Sequence, residues 1–410
     1  MNYKFVNEIL KNTAYPRIRG TESEKTAAEY IKSLCTKMNF NAKIEGFPLT
    51  MYETKTANLV IDGKEIPCTA YFGSANKSVK AELFYLSSDS KFLLKKCKGK
   101  IALIDMPLRY AIYDKLTQNG AVGVITYNGN LCFKGNDIDQ KELFFKPEEE
   151  NLLPCVNVAA ADAFDAVKNN RKTAEITTKQ SSYIGESHNV ILDIKGEMDE
   201  TIVISAHYDS TPHSNGAYDN MSSCIGLFYL AEYFSLHRPK RSIRLLWCGS
   251  EERGLLGSEE YCAMHKTENE KTVLNVNLDM LGTVMGDFCA FDCINEEMER
   301  FLTKFLARHR FPATVKYSIR SSDSNSFIKA GIPAVSFGRR SPANFGTIHT
   351  RFDTAELVSA KRLLGDMKII AQFTEVFANA ESFPVSLEIS DKIKTDIQNF
   401  FNRKTRAVKE

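Results

Sequence analysis

The part of the chain after about residue 185 alternates short apolar runs with longer amphipathic segments, and this alternation constrains the fold more than any other feature. Short apolar runs indicate buried strands, and the segments between them show helical spacing. Strands that alternate with helices are typical of α/β proteins. We therefore expect a three-layer α/β/α sandwich with a mixed, mainly parallel sheet. The predicted strands are 189–195, 202–206, 242–248, 273–278 and 332–337, and the predicted helices are 220–236, 255–265, 295–309, 324–330 and 355–378.

The first part of the chain has a different pattern, which predicts a second, smaller domain. Helical spacing in 2–12 and 22–38 gives way, from about residue 48, to short β-rich runs with a predicted hairpin turn at Asp62-Gly63. Further buried strands are predicted at 98–105, 119–130 and 152–160.

The chain has 410 residues, more than one hydrophobic core usually serves. We expect a discontinuous α/β domain, a β-rich domain inserted into it, and a C-terminal amphipathic helix. The predicted bounds are 1–47 with 185–387 for the α/β domain, 48–184 for the insertion, and 388–410 for the helix.

Composition and charge exclude several classes of function. The chain has 53 Lys and Arg against 51 Asp and Glu, and it has no basic cluster with interleaved aromatic residues. This balance predicts neither nucleic acid nor an anionic membrane as a partner. No long apolar run occurs, so no membrane span is predicted. The composition is compatible with a homo-oligomer.

The N-terminus and the cysteines bear on the cellular compartment. The N-terminal sequence MNYKFVNEIL is too polar for a secretory signal. The ten cysteines include no Cys-x-x-Cys pair, and without a signal peptide we expect them to be reduced thiols. We therefore expect a cytoplasmic protein.

Histidine and carboxylate residues follow four of the predicted strands, at or shortly after the point where each strand ends. The run IVISA leads to a His-x-Asp, IRLLWCGS to an acidic pair, VLNVNL to an aspartate, and IPAVSFG to a loop with a second histidine. Because ligands bind beyond the carboxyl ends of the strands in open α/β sheets, we expect these side chains to lie close together. The residues are His207, Asp209, Glu251, Glu252, Asp279 and His349.

Imidazole together with carboxylate is a ligand set that suits zinc and similar metals. A set of five ligands is too many for one catalytic zinc with an open position. Such a set therefore indicates two ions that share a bridging carboxylate. Asp219, in the sharp turn GAYDN before a long apolar helix, is the natural bridge. Taken singly, each residue has a structural explanation, such as a helix N-cap for an aspartate. Their joint placement favours the metal site.

A series of motifs also resembles a known family. The motifs are AHYDS, GAYDNMSS, GSEERGLLGSEEY, NLDMLG, SDSNSFIKAGIPAVSFG and HTRFDT. Their order and spacing over about residues 185–380 resemble the zinc-dependent exopeptidase family that contains aminopeptidase Y, bacterial leucyl aminopeptidase and glutamate carboxypeptidase II. The segments KGKIALID and NGAVGVITYN resemble the protease-associated domain that several members carry as an insertion. The resemblance implies a phosphorylase/hydrolase-like fold.

The resemblance implies metal-binding roles for five residues of this chain. His207 and Asp279 would hold one zinc ion, and Glu252 and His349 would hold the other. Asp219 would bridge the two ions.

It also implies roles beside the metals. Glu251 would be the general base, and Asp209 would accept the ring N–H of His207 and fix its tautomer. The family has a cis peptide after the bridging aspartate, which here precedes Asn220. Two positions depart from the family pattern, because Ser223 stands where glycine is frequent and Ser324 where histidine is frequent.

The predicted reaction is hydrolysis of the N-terminal peptide bond of a peptide substrate, with two zinc ions per chain. Glu251 would take a proton from water and pass it to the leaving amine. Alternatives are a carboxypeptidase or another amide hydrolase on the same site, and a non-catalytic binding protein. Arg339, Arg340 and Arg351, around the loop that delivers the second histidine, are a hypothesis for carboxylate recognition. His213 is a candidate to line the cleft.

Overall fold

The structure, a computed structural model, describes residues 1–131, 137–143, 152–342 and 348–405. The chain forms two compact units. The larger unit comprises Met1–Leu49 and Gly185–Gln398, and the smaller unit comprises Thr50–Ile184 and the C-terminal residues from Asn399. Two of the boundaries fall within long strands, Lys43–Ile61 and Thr173–Ile194.

The larger unit contains a mixed, mainly parallel sheet, which confirms the predicted sheet type. Its strands lie in the order Thr314–Tyr317, Asp287–Asp292, Ala334–Arg340, Thr272–Leu278, Met198–His207, Arg241–Cys248 and the last part of Thr173–Ile194. The second and third strands of this order are antiparallel, as are the last two, and the other neighbours are parallel. In the central register His207 lies beside Cys248 and Ser205 beside Asn277, so the carboxyl ends of these strands meet at one edge.

Helices cover both faces of this sheet. Ile202 and Ile204 pack into the large apolar core on one face, whereas Val203 packs with Tyr261 and Phe327 on the other. Successive strand residues point to opposite faces, so apolar residues at adjacent positions require cover on both sides. The helices of the unit are Tyr3–Asn12, Glu22–Lys37, Ser222–Leu236, Leu256–Met264, Lys266–Asn269, Glu296–Arg308, Ser324–Lys329 and Ala360–Asn379.

Some predicted bounds were wrong, and two strands were not predicted. The helix expected from 355 begins at Ala360, because the Ser359 side chain accepts from the Arg362 amide and caps it there. The strand Thr314–Tyr317 is only half-buried, and Asp287–Asp292 begins and ends with an aspartate. Thr314–Tyr317 therefore gives no continuous apolar run, and Asp287–Asp292 has one of only four residues between two aspartates.

The smaller unit has its own sheet between two apolar clusters, one on each face. Asp62 and Gly63 both have positive φ, which confirms the predicted hairpin turn. Strands lie within each of the three predicted segments. The remaining strands are Lys64–Ile66, Cys68–Ala70, Lys77–Leu86, Lys100–Ile104, Gly123–Asn128 and Cys155–Ala159, and the helices are Lys91–Leu94, Tyr110–Gln118 and Ala160–Lys168.

The C-terminal segment forms the amphipathic helix Asp391–Thr405, which buries Ile393, Ile397 and Phe401 along one side. The predicted range for this helix extends to 406–410, which lies outside the described residues. Among the helices that the structure describes, none has both the length and the apolarity to cross a bilayer.

Candidate metal centre

Three neighbouring parallel strands deliver the first residues of the site. The strand Met198–His207 ends at His207. The strand on one side of it leads directly to Asp279, and the strand on the other side leads through a short turn to Glu251 and Glu252. Because parallel strands end at the same edge of the sheet, residues far apart in the sequence are brought together there.

Two groups of potential ligands meet at this edge and share one residue. One ligand atom each from His207, Asp219 and Asp279 lie within 4.8 Å of one another, and the same holds for Asp219, Glu252 and His349. Oδ1 of Asp219 is 3.2 Å from Nε2 of His207, and Oδ2 is 3.2 Å from Nε2 of His349. Nε2 of His349 is also 3.0 Å from Oε2 of Glu252. The geometry thus places Asp219 between the two groups.

The backbone around Asp219 is held in an unusual conformation. The Asp219–Asn220 peptide is cis, as the family resemblance implies. A Cβ atom at Gly216, where φ is 52°, would lie 2.5 Å from the carbonyl oxygen of Asp219, so this position requires glycine. The buried carboxylate of Asp353 accepts from the amides of Tyr218, at 2.8 Å, and Asp219, at 3.0 Å. Asp353 lies in the motif HTRFDT, but no sequence pattern indicates this contact.

Asn220 connects Asp219 to the neighbouring ligand strand. Its Nδ2 donates to the carbonyl of Leu278 at 3.0 Å, and its Oδ1 accepts from the amide of Met280 at 2.9 Å. These two backbone groups lie on either side of Asp279. The Asn220 side chain therefore fixes the backbone on both sides of Asp279, which belongs to the first ligand group.

Asp209 has a second contact beyond the one expected. Its Oδ1 lies 3.4 Å from Nδ1 of His207, in the place that the resemblance implies. Its two oxygens also accept from the amides of Glu251, at 2.9 Å, and Glu252, at 3.1 Å. This buried carboxylate thus holds the backbone of the acidic pair and lies beside the histidine ring.

Burial and the neighbouring charges together shift the pKa values of the site residues. Removal from water raises the pKa of Glu251, Glu252 and Asp279 above the usual carboxyl range, although nearby cationic groups act in the opposite direction. Burial alone would lower the pKa of the two imidazoles, but adjacent carboxylates outweigh it and raise the pKa of His207 and His349 well above the usual value. Concentrated, buried carboxylates are unfavourable unless cations compensate them.

The donor set fits a divalent cation. Oε1 of Glu252 is buried and has no hydrogen-bond partner in the described part of the chain. A buried acceptor of this kind is costly unless a ligand or an ion meets it. Two imidazoles and several carboxylates at one point are the ligands that zinc takes in proteins.

Arg320 is a residue of the site that the sequence did not indicate. Its Nη2 lies 3.5 Å from Oδ2 of Asp279, and its Nη1 donates to the carbonyl of the same residue at 3.4 Å. The nearest sequence signal is its position two residues before the motif that starts at Ser322.

The hypothesis that Arg339 recognises a substrate carboxylate is wrong. Its guanidinium donates from Nε and Nη2 to the two oxygens of Asp366, at 3.0 and 2.6 Å, and from Nη1 to the carbonyl of Gly286. The Asp366 side chain is only 1% exposed, so an internal carboxylate already holds this arginine. Arg340, Arg351 and His213 are exposed, and their substrate roles stay predictions.

The two departures from the family pattern lie in the interior. Ser223 is fully buried, and its hydroxyl accepts from the amide of Leu281 at 3.3 Å. Ser324 is also fully buried, with its hydroxyl 3.0 Å from that of Ser322. Both serines therefore satisfy their hydroxyl groups within the fold.

Replacement of Arg339 by methionine is expected to lower the free energy of unfolding by about 3 to 5 kcal/mol, because it leaves the buried carboxylate of Asp366 without its partner. Urea denaturation measures this change. Arg340→Met, at the exposed neighbouring position, is the matched control and should change stability little. A stable Arg339→Met protein with an altered preference for acidic peptides would restore the recognition hypothesis.

The model of peptidase family M28 matches residues 189–374, the segment that contains all the proposed ligands. Over this segment the chain is similar to peptidase family M28. Among its relatives, aminopeptidase YwaD of Bacillus subtilis (strain 168) is 31% identical over 288 residues, which cover 65% of this chain and 59% of YwaD. The chain thus spans less than two thirds of the length of that relative. Leucine aminopeptidase 2 of Trichophyton equinum is 26% identical over 347 residues, 78% of this chain and 67% of the relative.

Solved structures extend this similarity. The structure of BSAP, a zinc aminopeptidase from Bacillus subtilis, matches with a TM-score of 0.74 at 25% identity, and the match covers 95% of this chain and 97% of that chain. The predicted α/β fold is therefore confirmed.

Proposed function

We propose that this chain is a two-zinc aminopeptidase that hydrolyses N-terminal residues from peptides. The observation that carries the proposal is the position of Asp219, whose two oxygens face the histidines of two separate ligand groups. One shared carboxylate between two such groups is the arrangement of two-metal hydrolases. Relatives named as aminopeptidases support the same activity.

In this proposal each ligand group holds one zinc ion. His207 and Asp279 would bind the first ion, Glu252 and His349 the second, and Asp219 both. When bound, the two ions would polarise the scissile carbonyl and lower the pKa of water. The side chains supply the fixed geometry, because Asp353 and the other contacts described above hold the ligands before any ion binds.

Glu251 is the proposed general base. It belongs to neither ligand group, and its Oε2 lies 3.9 Å from Nε2 of His207. The hydrogen bond from its amide to Asp209 fixes its backbone beside the ligands. Its carboxylate would take a proton from the attacking water and give it to the amine nitrogen as the C–N bond breaks.

Three wider features belong to the proposal. The smaller unit would be an inserted protease-associated domain, with its strands at KGKIALID and NGAVGVITYN as support. A cytoplasmic location rests on the ten cysteines without a Cys-x-x-Cys pair. Light scattering of the purified protein would test the homo-oligomer, and cell fractionation would test the location.

The proposed activity predicts that chelation abolishes turnover of free dipeptides and aminoacyl amides and that added zinc restores it. Metal analysis should then give two zinc ions per chain. The matched substrates are the same peptides with a blocked N-terminus, which should not be cleaved, because an aminopeptidase requires the free amino group.

The substrate panel also separates the alternatives. Cleavage of the N-blocked peptides from their C-terminus would indicate a carboxypeptidase on the same site. Stoichiometric zinc without cleavage of any peptide or amide would contradict the proposed activity.

A further inference from the structure

Arg17 lies outside the family-matched segment, yet its guanidinium contacts the loop between His207 and Asp219. The side chain is fully buried. It donates to five backbone carbonyls, those of Thr13, Tyr15, Tyr208, Asn215 and Gly216. Three of these carbonyls belong to the loop, and they lie near its two ends. Nε, Nη1 and Nη2 of one guanidinium each donate to one of these three carbonyls, so they fix the loop where it leaves the first histidine and where it approaches the shared aspartate.

The backbone of Arg17 adds two contacts to the same loop. Its amide donates to the hydroxyl of Ser210 at 2.9 Å, and its carbonyl accepts from the amide of Ser210 at 3.0 Å. Arg17 therefore contacts the residues directly before and after Asp209. All of these contacts to the loop are hydrogen bonds to its backbone or to the Ser210 hydroxyl.

Glu24 makes the corresponding contact to the turn that carries the acidic pair. Its fully buried Oε1 accepts from the hydroxyls of Ser187, at 2.9 Å, and Ser250, at 3.1 Å, and its Oε2 accepts from the amide of Gly20 at 2.7 Å. Ser250 directly precedes Glu251 and has a φ of 57°, a left-handed conformation that is uncommon for serine. Burial raises the pKa of Glu24 to about 8.

The two contacts converge at Asp209. Arg17 fixes the backbone on both sides of that aspartate, and Glu24 fixes the turn whose next two amides donate to its carboxylate. We propose that Arg17 and Glu24 are positioning residues for metal binding and catalysis. Together they hold the loop between His207 and Asp219 in register with the turn that carries Glu251 and Glu252. The catalytic part of this inference rests on the proposed function, whereas the metal-binding part does not.

Substitution of these residues tests the proposal. Arg17→Met and Glu24→Ala are expected to weaken zinc binding and to lower kcat by about 10- to 100-fold, the range found when partners of metal ligands are removed. KM should change little, because both side chains are fully buried and cannot contact a substrate. Competition with a chromogenic chelator measures zinc affinity without activity, and steady-state kinetics of the zinc-loaded full chain separates kcat from KM.

Conservative variants and a core variant are the controls. Arg17→Lys keeps the charge but not the planar set of five donors, so it should recover only part of kcat. Glu24→Gln keeps an acceptor for both serines and should recover most of it. Ile31→Ala removes a buried core side chain of the helix Glu22–Lys37 and should lower the melting temperature without weakening zinc.

Three outcomes decide between the alternatives. Unchanged zinc affinity and kcat in folded Arg17→Met and Glu24→Ala would overturn the proposal, and so would an equal loss in Ile31→Ala. If Arg17→Met does not fold, the comparison of Glu24→Ala with Glu24→Gln and of Arg17→Lys with the unaltered protein carries the test. An unaltered protein that binds two zinc ions but cleaves nothing would contradict the proposed function, and the zinc affinities would still decide whether the two residues position the site.

Discussion

Glu251→Gln is expected to bind both zinc ions with nearly unchanged affinity while kcat falls about 10³-fold, within the range for the loss of a general base. Glutamine keeps the shape of the side chain and the backbone hydrogen bond to Asp209 at 2.9 Å, so the ligand geometry should persist. It cannot take a proton from water. Metal analysis and steady-state kinetics on a free dipeptide measure the two quantities.

Glu260→Gln is the matched control for this variant. Glu260 lies on the helix Leu256–Met264, is partly exposed, and is not part of the site. Its substitution should leave both kcat and zinc binding unchanged. Turnover close to that of the unaltered protein in Glu251→Gln would remove Glu251 from the role of general base.

Asp219→Ala is expected to lose zinc and activity together, with zinc affinity lowered more than about 100-fold. Loss of a residue that only hydrogen-bonds to a metal ligand already lowers metal affinity about 10- to 100-fold. Asp219 is itself a candidate ligand, and it is shared by both ligand groups. Its removal deprives each proposed ion of one oxygen ligand. It also removes the carboxylate that lies between the two histidines. Zinc titration in competition with a chelator measures the change.

Asp353→Asn gives a graded comparison. Asparagine keeps one acceptor for the amides of Tyr218 and Asp219 and leaves the shared carboxylate in place. Zinc affinity should therefore fall less than in Asp219→Ala. Two tightly bound zinc ions in Asp219→Ala would show that Asp219 is not the bridge and would contradict the proposed ligand assignment.

Much of the site could be predicted because its residues follow strands. His207 and Asp279 stand at the ends of apolar runs, and the parallel order of those runs brings their ends to one edge. The acidic pair Glu251-Glu252 follows a third strand at the same edge. The contacts of Arg17, Glu24, Asp353 and Arg320 could not be predicted, because a side chain that bonds to distant backbone groups leaves no periodic pattern in the sequence.

The sequence by itself indicated most strands and helices of the larger unit and the chemical groups that stand at the strand ends, because apolar periodicity and residue type act locally. Only the tertiary structure decided that Arg339 belongs to Asp366 and not to a substrate, and that Asp209 holds the acidic pair. It also brought Arg17 and Glu24 from the N-terminal segment to the two loops of the site. These partners lie far apart along the chain, and a buried charge or polar group takes whichever partner the packed fold places within reach.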